Sequence, residues 1–261
     1  MPAPLPLILL PPSEGKADGG TGAPWAPGTM AVDLDRQREQ ALVALARAMR
    51  QTPAARAKLL GVKGDALAAA TEANRGVREA PTLPAIERYT GVLYDALDVG
   101  SLTATRRRRL DGSVLIVSGL WGLVAPSDPI PDYKLKVGAA LPKLGRLSTW
   151  WRKPVSEHLD ELAAGRTVWN LLPNEHAAAW QPTVPQPQHT VRFLERRPDG
   201  SLVAVSHWNK LLKGALVRHL VDRPGTTKES LVDWEHPLGY RLDPARTEAE
   251  GAVIRLTFVQ E

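Results

Sequence analysis

Eight side chains that can bind anions or move protons are candidates for one site, and all but Lys213, which lies on a predicted helix, are next to predicted strand ends. They are Lys16, Asp128, Tyr133, Lys134, Asn170, Glu175, Lys210 and Lys213. Loops that follow the strands of one sheet can converge on a common cleft, so these residues are predicted to share one. A cleft that holds a carboxylate and several lysines suits an anionic ligand or acid–base chemistry. The alternative is that they are polar positions scattered over unrelated loops.

The stretch from Ser118 to Gly138 is predicted to hold several of these side chains. It follows the apolar run Val114–Val117, which is typical of a buried strand that ends in a Ser-Gly turn. Three prolines fall within residues 126–131. Proline fixes φ and removes a backbone donor, so this segment is predicted to form a rigid loop that continues neither a sheet nor a helix.

A second candidate surface lies in residues 54–73, where two helical patterns flank Gly61-Val62-Lys63-Gly64. Apolar–Gly–apolar–any–Gly between helices resembles the turn of a helix–hairpin–helix. Two glycines let the backbone approach a phosphate, and the N–H groups of the next helix point at the anion. Lys58 and Lys63 add charge attraction without reading bases. An ordinary helix–helix turn that uses glycine as a cap is the alternative.

Several other chemistries are excluded or unsupported. The chain has no cysteine, which removes disulfides, thiolate nucleophiles and cysteine-ligated metals. Ser13 and Lys16 match Ser-x-x-Lys, but the partner motifs of penicillin-recognising enzymes do not occur. The six histidines show no i, i+4 pairing and no HExxH motif occurs. No metal site and no cofactor are predicted.

The charge balance favours an anionic partner. Lysine and arginine number 33 against 28 aspartates and glutamates, for a net charge of +5. The strongest cluster of positive charge, Arg106–Arg109, is predicted to end a short helix capped by Ser101. There the arginines either interact with the carbonyl end of the helix dipole or bind phosphates. No window approaches the roughly 18 apolar residues that span a bilayer. The apolar N-terminus, residues 1–12, is not an export signal, because it lacks a basic leading region. The sequence predicts a cytoplasmic protein with no membrane partner.

The elements that must position these residues mix helices with strands without regular alternation. An α+β fold is therefore predicted: a mixed sheet with surrounding helices, in a single domain over residues 1–261. The predicted strands are 5–10, 114–117, 167–172, 190–196, 201–206, 239–242 and 253–259. The predicted helices are 34–49, 54–60, 65–73, 84–97, 148–164 and 209–221. Asp199-Gly200 marks the clearest hairpin.

Five segments, taken in order, resemble the YaaA family, also called DUF328 or UPF0246, the peroxide stress proteins. They are Leu9–Lys16, Tyr89–Leu97, Ser118–Gly138, Asn170–Glu175 and Val205–Gly214. The third is the most diagnostic, with Ser-Gly-Leu-aromatic-Gly, then Pro-x-Asp, then Tyr-Lys-Leu-x-x-Gly. The match spans nearly the whole chain.

The resemblance implies a cytoplasmic protein of mixed α/β fold with a positively charged cleft and a helix–hairpin–helix element. Known members are implicated in peroxide resistance, in limiting free iron and in binding DNA. Two positions depart from the family. His176 stands where tyrosine is usual, and Thr90 stands where some members carry lysine.

Two functions of different class follow. In the first, the protein binds double-stranded or distorted DNA under oxidative stress: Lys58, Gly61, Lys63 and Gly64 hold phosphates and the cleft engages an exposed strand. In the second, the protein is an enzyme that acts on a nucleobase, a nucleotide or a related small anion, and it could serve a biosynthetic pathway. Lys16 or Lys210 would then be the nucleophile, with Glu175 as acid or base.

Overall fold

A computed structural model describes residues 4–205 and 208–260. Its α-helices are α1 (Asp35–Ala48), α2 (Pro53–Leu60), α3 (Gly64–Arg75), α4 (Ala85–Arg88), α5 (Val92–Leu97), α6 (Ala104–Ser113), α7 (Leu147–Trp150), α8 (Arg152–Ala163), α9 (Asn174–Ala177) and α10 (Asn209–Asp222). Short 3-10 helices cover Val99–Ser101, Ser230–Asp233 and Pro244–Arg246.

The strands are β1 (Leu7–Leu10), β2 (Leu83–Pro84), β3 (Val114–Ser118), β4 (Gly122–Val124), β5 (Pro129–Ile130), β6 (Ala140–Leu141), β7 (Gly145–Arg146), β8 (Val168–Asn170), β9 (Gln188–Arg196), β10 (Leu202–Ala204), β11 (Arg241–Leu242), β12 (Glu248–Glu250) and β13 (Val253–Gln260). The main sheet has the order β11-β13-β9-β8-β1-β3-β4, with β10 on β9 and β12 on β13.

Parallel and antiparallel pairs both occur in this sheet. The pairs β1–β3, β1–β8, β8–β9 and β9–β13 are parallel, whereas β3–β4, β9–β10, β11–β13 and β12–β13 are antiparallel. The predicted α+β fold with a mixed sheet is therefore confirmed. In the central register, Leu9 lies between Leu115 and Asn170.

The central strands are apolar because both faces of the sheet are covered. Every residue of β1 and of β3 is buried, the pattern expected of parallel strands that carry helices on each side. Since β1, β3 and β8 are parallel, their carboxyl ends meet at one edge of the sheet. The segments that follow them come together at that edge, where open α/β sheets usually bind ligands.

The predicted hairpin at Asp199-Gly200 is confirmed, since β9 and β10 pair antiparallel and Gly200 has a φ of 83°. The strand predicted over 201–206 is shorter, because β10 covers Leu202–Ala204. Ser206 and His207 lie outside the described residues. Ser206 ends the predicted strand and also belongs to the Val205–Gly214 family segment. His207 belongs to that family segment only.

The helix predicted over 84–97 is wrong, because it is two helices separated by Tyr89–Gly91. Tyr89 is extended and Gly91 has a φ of 98°, a conformation that glycine adopts readily. The break lets the chain pair with the loop after β1. Lys16 and Tyr89 form an antiparallel bridge, and the Thr90 N–H donates to the Gly15 carbonyl at 3.1 Å. The break therefore positions Lys16.

Two further predictions need correction. The proline-rich loop does contribute to a small sheet, since Pro129–Ile130 pairs with Leu83–Pro84; proline is tolerated there because the pair is only two residues long and at an edge. The helix that carries Arg106–Arg109 is capped by Thr103 and runs on to Ser113, so these arginines do not end it. Arg106 and Arg107 form ion pairs with Asp222 and Glu87.

Within residues 4–205 and 208–260, no helix is long and apolar enough to cross a bilayer.

Candidate anion-binding site

Two recesses lie at the carboxyl edge of the central strands, on either side of residues 173–177. The smaller recess has a volume of about 130 Å³ and is lined by Lys16, Tyr133, Lys134 and Glu175 among others. The larger recess has a volume of about 550 Å³, and its lining includes Asn170, Lys210 and Lys213. Seven of the eight predicted cleft residues therefore line one of two adjacent recesses rather than a single cleft.

Lys16 is the central cation of the smaller recess. Its Nζ lies 4.3 Å from the centroid of the Tyr133 ring and donates to the Ser13 carbonyl at 3.3 Å. An ammonium over an aromatic face is held by the ring quadrupole. Burial lowers the pKa of Lys16 from 10.5 to about 8, because a low-dielectric surrounding disfavours the charged form. Lys16 thus keeps its charge at neutral pH but loses its proton more readily than an exposed lysine.

Tyr133 is held in place by a buried chain of hydroxyl groups. Its Oη lies 2.8 Å from the Tyr89 Oη and 2.8 Å from the Ser118 Oγ. Ser118 Oγ also accepts from the backbone N–H of Leu120 and Trp121, at 3.3 and 3.1 Å. Burial raises the pKa of Tyr133 to about 12, so the phenol stays neutral under the Lys16 ammonium. The chain fixes the ring that Lys16 rests on.

Glu14 closes one side of the smaller recess. Its carboxylate forms ion pairs with Lys134 at 2.8 Å and with Lys136 at 2.9 Å. Partial burial by itself would raise the pKa of Glu14, but the hydrogen bonds from these two lysines lower it to about 2. The Glu14 carboxylate therefore lies between the ammonium groups of Lys134 and Lys136.

Glu175 and His176 contribute the opposite wall from α9. The Glu175 carboxylate lies so close to Gly138 that a Cβ at position 138 would stand 1.7 Å from Oε1. The glycine that ends the Tyr-Lys-Leu-x-x-Gly segment thus makes room for this carboxylate. Burial lowers the pKa of His176 to about 4, so its imidazole is neutral at pH 7.

The larger recess takes its cations from α10. Lys213 donates from Nζ to the Leu171 carbonyl at 2.9 Å, and burial lowers the pKa of Lys213 to about 8. Lys210, one turn earlier, is exposed. Asn170 is held at the end of β8, where its Nδ2 donates to Gln188 Oε1 at 2.9 Å and its Oδ1 accepts from the Leu172 N–H at 3.2 Å.

Asp128 lines neither of these two recesses. Its carboxylate accepts from the backbone N–H of Ala31 at 2.8 Å and of Ala125 at 2.7 Å. Burial raises the pKa of Asp128, and these bonds oppose that rise. The side chain ties the start of the proline-rich loop to the segment before α1, which is a structural task.

The turn between α2 and α3 lies beside the smaller recess. Gly61 closes α2 with a φ of 69°, and Gly64 opens α3 with a φ of 56°. Asn74 of α3 exchanges two hydrogen bonds of 2.9 Å with the backbone of Lys134. A Cβ on Gly61 would lie 3.8 Å from Lys136 Nζ. The predicted phosphate-binding turn and the recess are thus attached to the same loop, residues 133–137.

The sequence predictions do not include Glu14, Lys136 or Arg255, which also line the two recesses. Glu14 and Lys136 each lie two positions from a predicted residue. Alternate residues of an extended segment point the same way, so this spacing could have indicated them. Arg255 lies within β13 and carries no comparable signal. Among the described residues, no group of three or more histidines, aspartates and glutamates could hold a metal ion.

Fold and site together define a mixed α+β protein with lysine-lined recesses at the carboxyl edge of its central parallel strands. A family model described as peroxide stress protein YaaA matches residues 7–246. A UPF0246 protein of Streptomyces coelicolor is 40% identical over 251 residues, which is 94% of each chain. A UPF0246 protein of Corynebacterium glutamicum is 37% identical over 218 residues, covering 82% of this chain and 84% of that one. The chain belongs to the peroxide stress protein YaaA (UPF0246) family, as its five segments predicted.

Proposed function

We propose that this chain is a DNA-binding protein of the peroxide stress response. In this proposal the α2–α3 turn is a helix–hairpin–helix that grips the phosphate backbone, and the smaller recess engages a distorted or exposed strand. The observation that carries the proposal is the proximity of the turn to the recess: a Cβ on Gly61 would lie 3.8 Å from the Nζ of Lys136, which lines the recess. A duplex held at the turn would therefore lie next to the recess lysines.

The conformation of the turn supports phosphate binding. Gly61 and Gly64 both have positive φ and are exposed, so the backbone can come close to a phosphate without a Cβ in the way. Lys58 and Lys63 are exposed on the same turn and its preceding helix. Within the described chain, the Lys63 side chain makes no cap bond to α3, which leaves the first N–H groups of α3 to bind water or an anion.

The pairing of Glu14 supports phosphate binding at the recess. Lys134 and Lys136 hold its carboxylate at 2.8 and 2.9 Å, which are the distances of charge-assisted hydrogen bonds. A backbone phosphate carries the same charge and can replace this carboxylate. Glu14 is exposed, so its side chain can swing away when a strand enters.

Fluorescence anisotropy with a labelled duplex, and with the same duplex carrying a bulge, tests this function. We expect tighter binding to the bulged duplex. Lys63→Gln should weaken binding to all sequences alike and reduce the salt slope by about 0.9. Glu14→Gln should tighten binding, because Lys134 and Lys136 lose their internal partner.

The matched control for this assay is Lys153→Gln, which removes an 87% exposed lysine of α8 that lines neither recess. It should leave the affinity unchanged. Salt-independent binding, or equal losses in Lys63→Gln and Lys153→Gln, would count decisively against a phosphate-gripping turn.

Catalysis by Lys16 is a second candidate function, favoured by the acidity of its ammonium group. Burial lowers the pKa of Lys16 to about 8, and Glu175 lines the same recess. A lysine with a pKa of about 8 is mostly charged at pH 7 but supplies a larger fraction of neutral amine than an exposed lysine does. That amine can add to a sugar aldehyde, and loss of water then gives a Schiff base, with a carboxyl group moving the proton. Lys210 is the other candidate nucleophile, in the larger recess.

Borohydride trapping tests this candidate. A duplex with an abasic site offers an aldehyde, and reduction of a Schiff base would fix a covalent protein–DNA adduct visible on a denaturing gel. We expect Lys16→Gln to abolish the adduct and Lys210→Gln to retain it. If neither an adduct nor base release is seen with the unaltered protein, lyase-like chemistry on DNA is refuted and DNA binding alone stands.

A further inference from the structure

The larger recess has the size and lining of a small-molecule site that differs from the proposed DNA contact. Its volume of about 550 Å³ falls within the roughly 300–1,000 Å³ of most ligand sites. One part of its wall is apolar, formed by Leu93, Leu172, Val191 and Val205. A lone inorganic anion would leave this apolar wall uncovered.

The charge of the lining is of one sign. Lys210, Lys213 and Arg255 line the recess, whereas no aspartate or glutamate is among its described lining residues. The two lysines are three positions apart on α10, so they project from the same face of the helix. Arg255 comes from β13 and pairs with Glu248 at 3.2 Å. Cations from two separate elements thus meet at one cavity.

Lys213 is the half-buried cation of the larger recess. Its Nζ donates to the Leu171 carbonyl at 2.9 Å, and an ammonium has three protons to donate. Burial disfavours its charge and lowers its pKa to about 8. An anion in the recess would accept further hydrogen bonds and offset the loss of hydration.

Three asparagines add neutral hydrogen-bonding groups to the wall: Asn170, Asn174 and Asn209. Asn170 is already fixed by its bond to Gln188 at 2.9 Å. Amide groups near an apolar wall suit a body with polar edges, such as a sugar or a heterocycle, since they fix its orientation.

We propose that the larger recess binds a small organic phosphate, with the phosphate held by Lys210, Lys213 and Arg255 and the organic body packed against Leu93, Leu172 and Val191. A phosphate monoester has up to two negative charges and three terminal oxygens, which match three cations better than a monocarboxylate does. The smaller recess, of about 130 Å³, is too small for such a body. This site is independent of the DNA contact proposed for the α2–α3 turn.

Isothermal titration calorimetry at constant ionic strength tests the proposal with two matched pairs: AMP against adenosine, and ribose 5-phosphate against ribose. We expect at least one phosphate ester to bind about tenfold or more tightly than its partner without phosphate. Lys210→Gln and Lys213→Met should each weaken that binding by about tenfold or more.

Lys210 is exposed, so Lys210→Gln tests the site without disturbing the fold, which circular dichroism would verify. Lys63→Gln and Lys134→Gln are the controls, and neither should change the affinity for the phosphate ester. Lys63→Gln should weaken DNA binding but leave the affinity for the phosphate ester unchanged. Failure of one proposal is therefore distinguishable from failure of the other. If neither ester outbinds its partner, or if Lys210→Gln binds as well as the unaltered protein, the site is refuted.

Discussion

At the scale of single residues, the recesses hold ammonium groups that burial makes costly. Lys16 packs 4.3 Å from the centroid of the Tyr133 ring, and its pKa falls from 10.5 to about 8. Between these two values the unfolded chain binds the proton and the folded chain does not, so stability rises with pH there. Below about pH 8 the full cost of the buried charge is present. The buried ammonium group of Lys16 destabilises the fold, so its presence favours a role in binding or chemistry.

Lys16→Met should therefore stabilise the protein at pH 7. The gain should be about 1–3 kcal/mol, which corresponds to about 2–4 °C in Tm for each 1 kcal/mol in a chain of this size. Differential scanning calorimetry at pH 7 and pH 10 would measure it, and the gain should shrink at pH 10, where the folded Lys16 is already neutral. Lys153→Met is the exposed control. A loss of stability at pH 7, or an equal gain at both pH values, would contradict the assignment of a buried charge.

At the scale of elements, the sites depend on how closely helices and loops approach one another. Helix α10, which carries Lys210 and Lys213, packs against α5 through Gly214. A Cβ at position 214 would lie 2.2 Å from the Leu93 carbonyl oxygen and 2.8 Å from the Ala96 Cβ. Since that oxygen belongs to the backbone, it cannot move aside without displacing α5. Gly214 thus sets the position of the larger recess.

Gly214→Ala should destabilise the protein by about 1–3 kcal/mol, the usual cost of forcing extra volume into a packed contact. Helix propensity alone predicts the opposite sign, because alanine in a helix interior is favoured over glycine by roughly 0.5–1 kcal/mol. Urea unfolding followed by circular dichroism would decide the sign. Gly112→Ala in α6 is the matched helix control: its Cβ would lie 3.0 Å from the tip of Leu5, which can adjust. Equal effects at both positions would show that propensity, and not packing against α5, dominates.

The elements themselves could largely be predicted from local patterns. The apolar runs of β1 and β3, the Asp199-Gly200 hairpin and the helices on either side of Gly61–Gly64 all have signals within a few residues. The break at Tyr89–Gly91 could not be predicted this way. Its apolar spacing continues that of a helix across Gly91, and the bridge between Tyr89 and Lys16 shows that the chain leaves the helix there.

At the scale of the whole molecule, the parallel arrangement of β8, β1 and β3 gathers the site. It brings the loop after β1 beside the segment 133–138 and beside α9, so Glu14 pairs with Lys134 across 120 positions in the chain. The same arrangement places α9 between the two recesses and separates Lys16 and Glu175 from Lys210 and Lys213. One predicted cleft becomes two sites of different size, which is why two ligands of different kinds can be proposed.

The amino-acid sequence by itself indicated the family, through the resemblance of five ordered segments. It also determined the α+β character and which polar residues follow which strands, because these depend on short-range periodicity. The tertiary structure alone decided that Asp128 ties backbone segments together, that Glu14 pairs with two lysines and that seven predicted residues divide between two recesses. The physical reason is that strand order and loop docking arise from contacts between distant residues, whose energies no local pattern records.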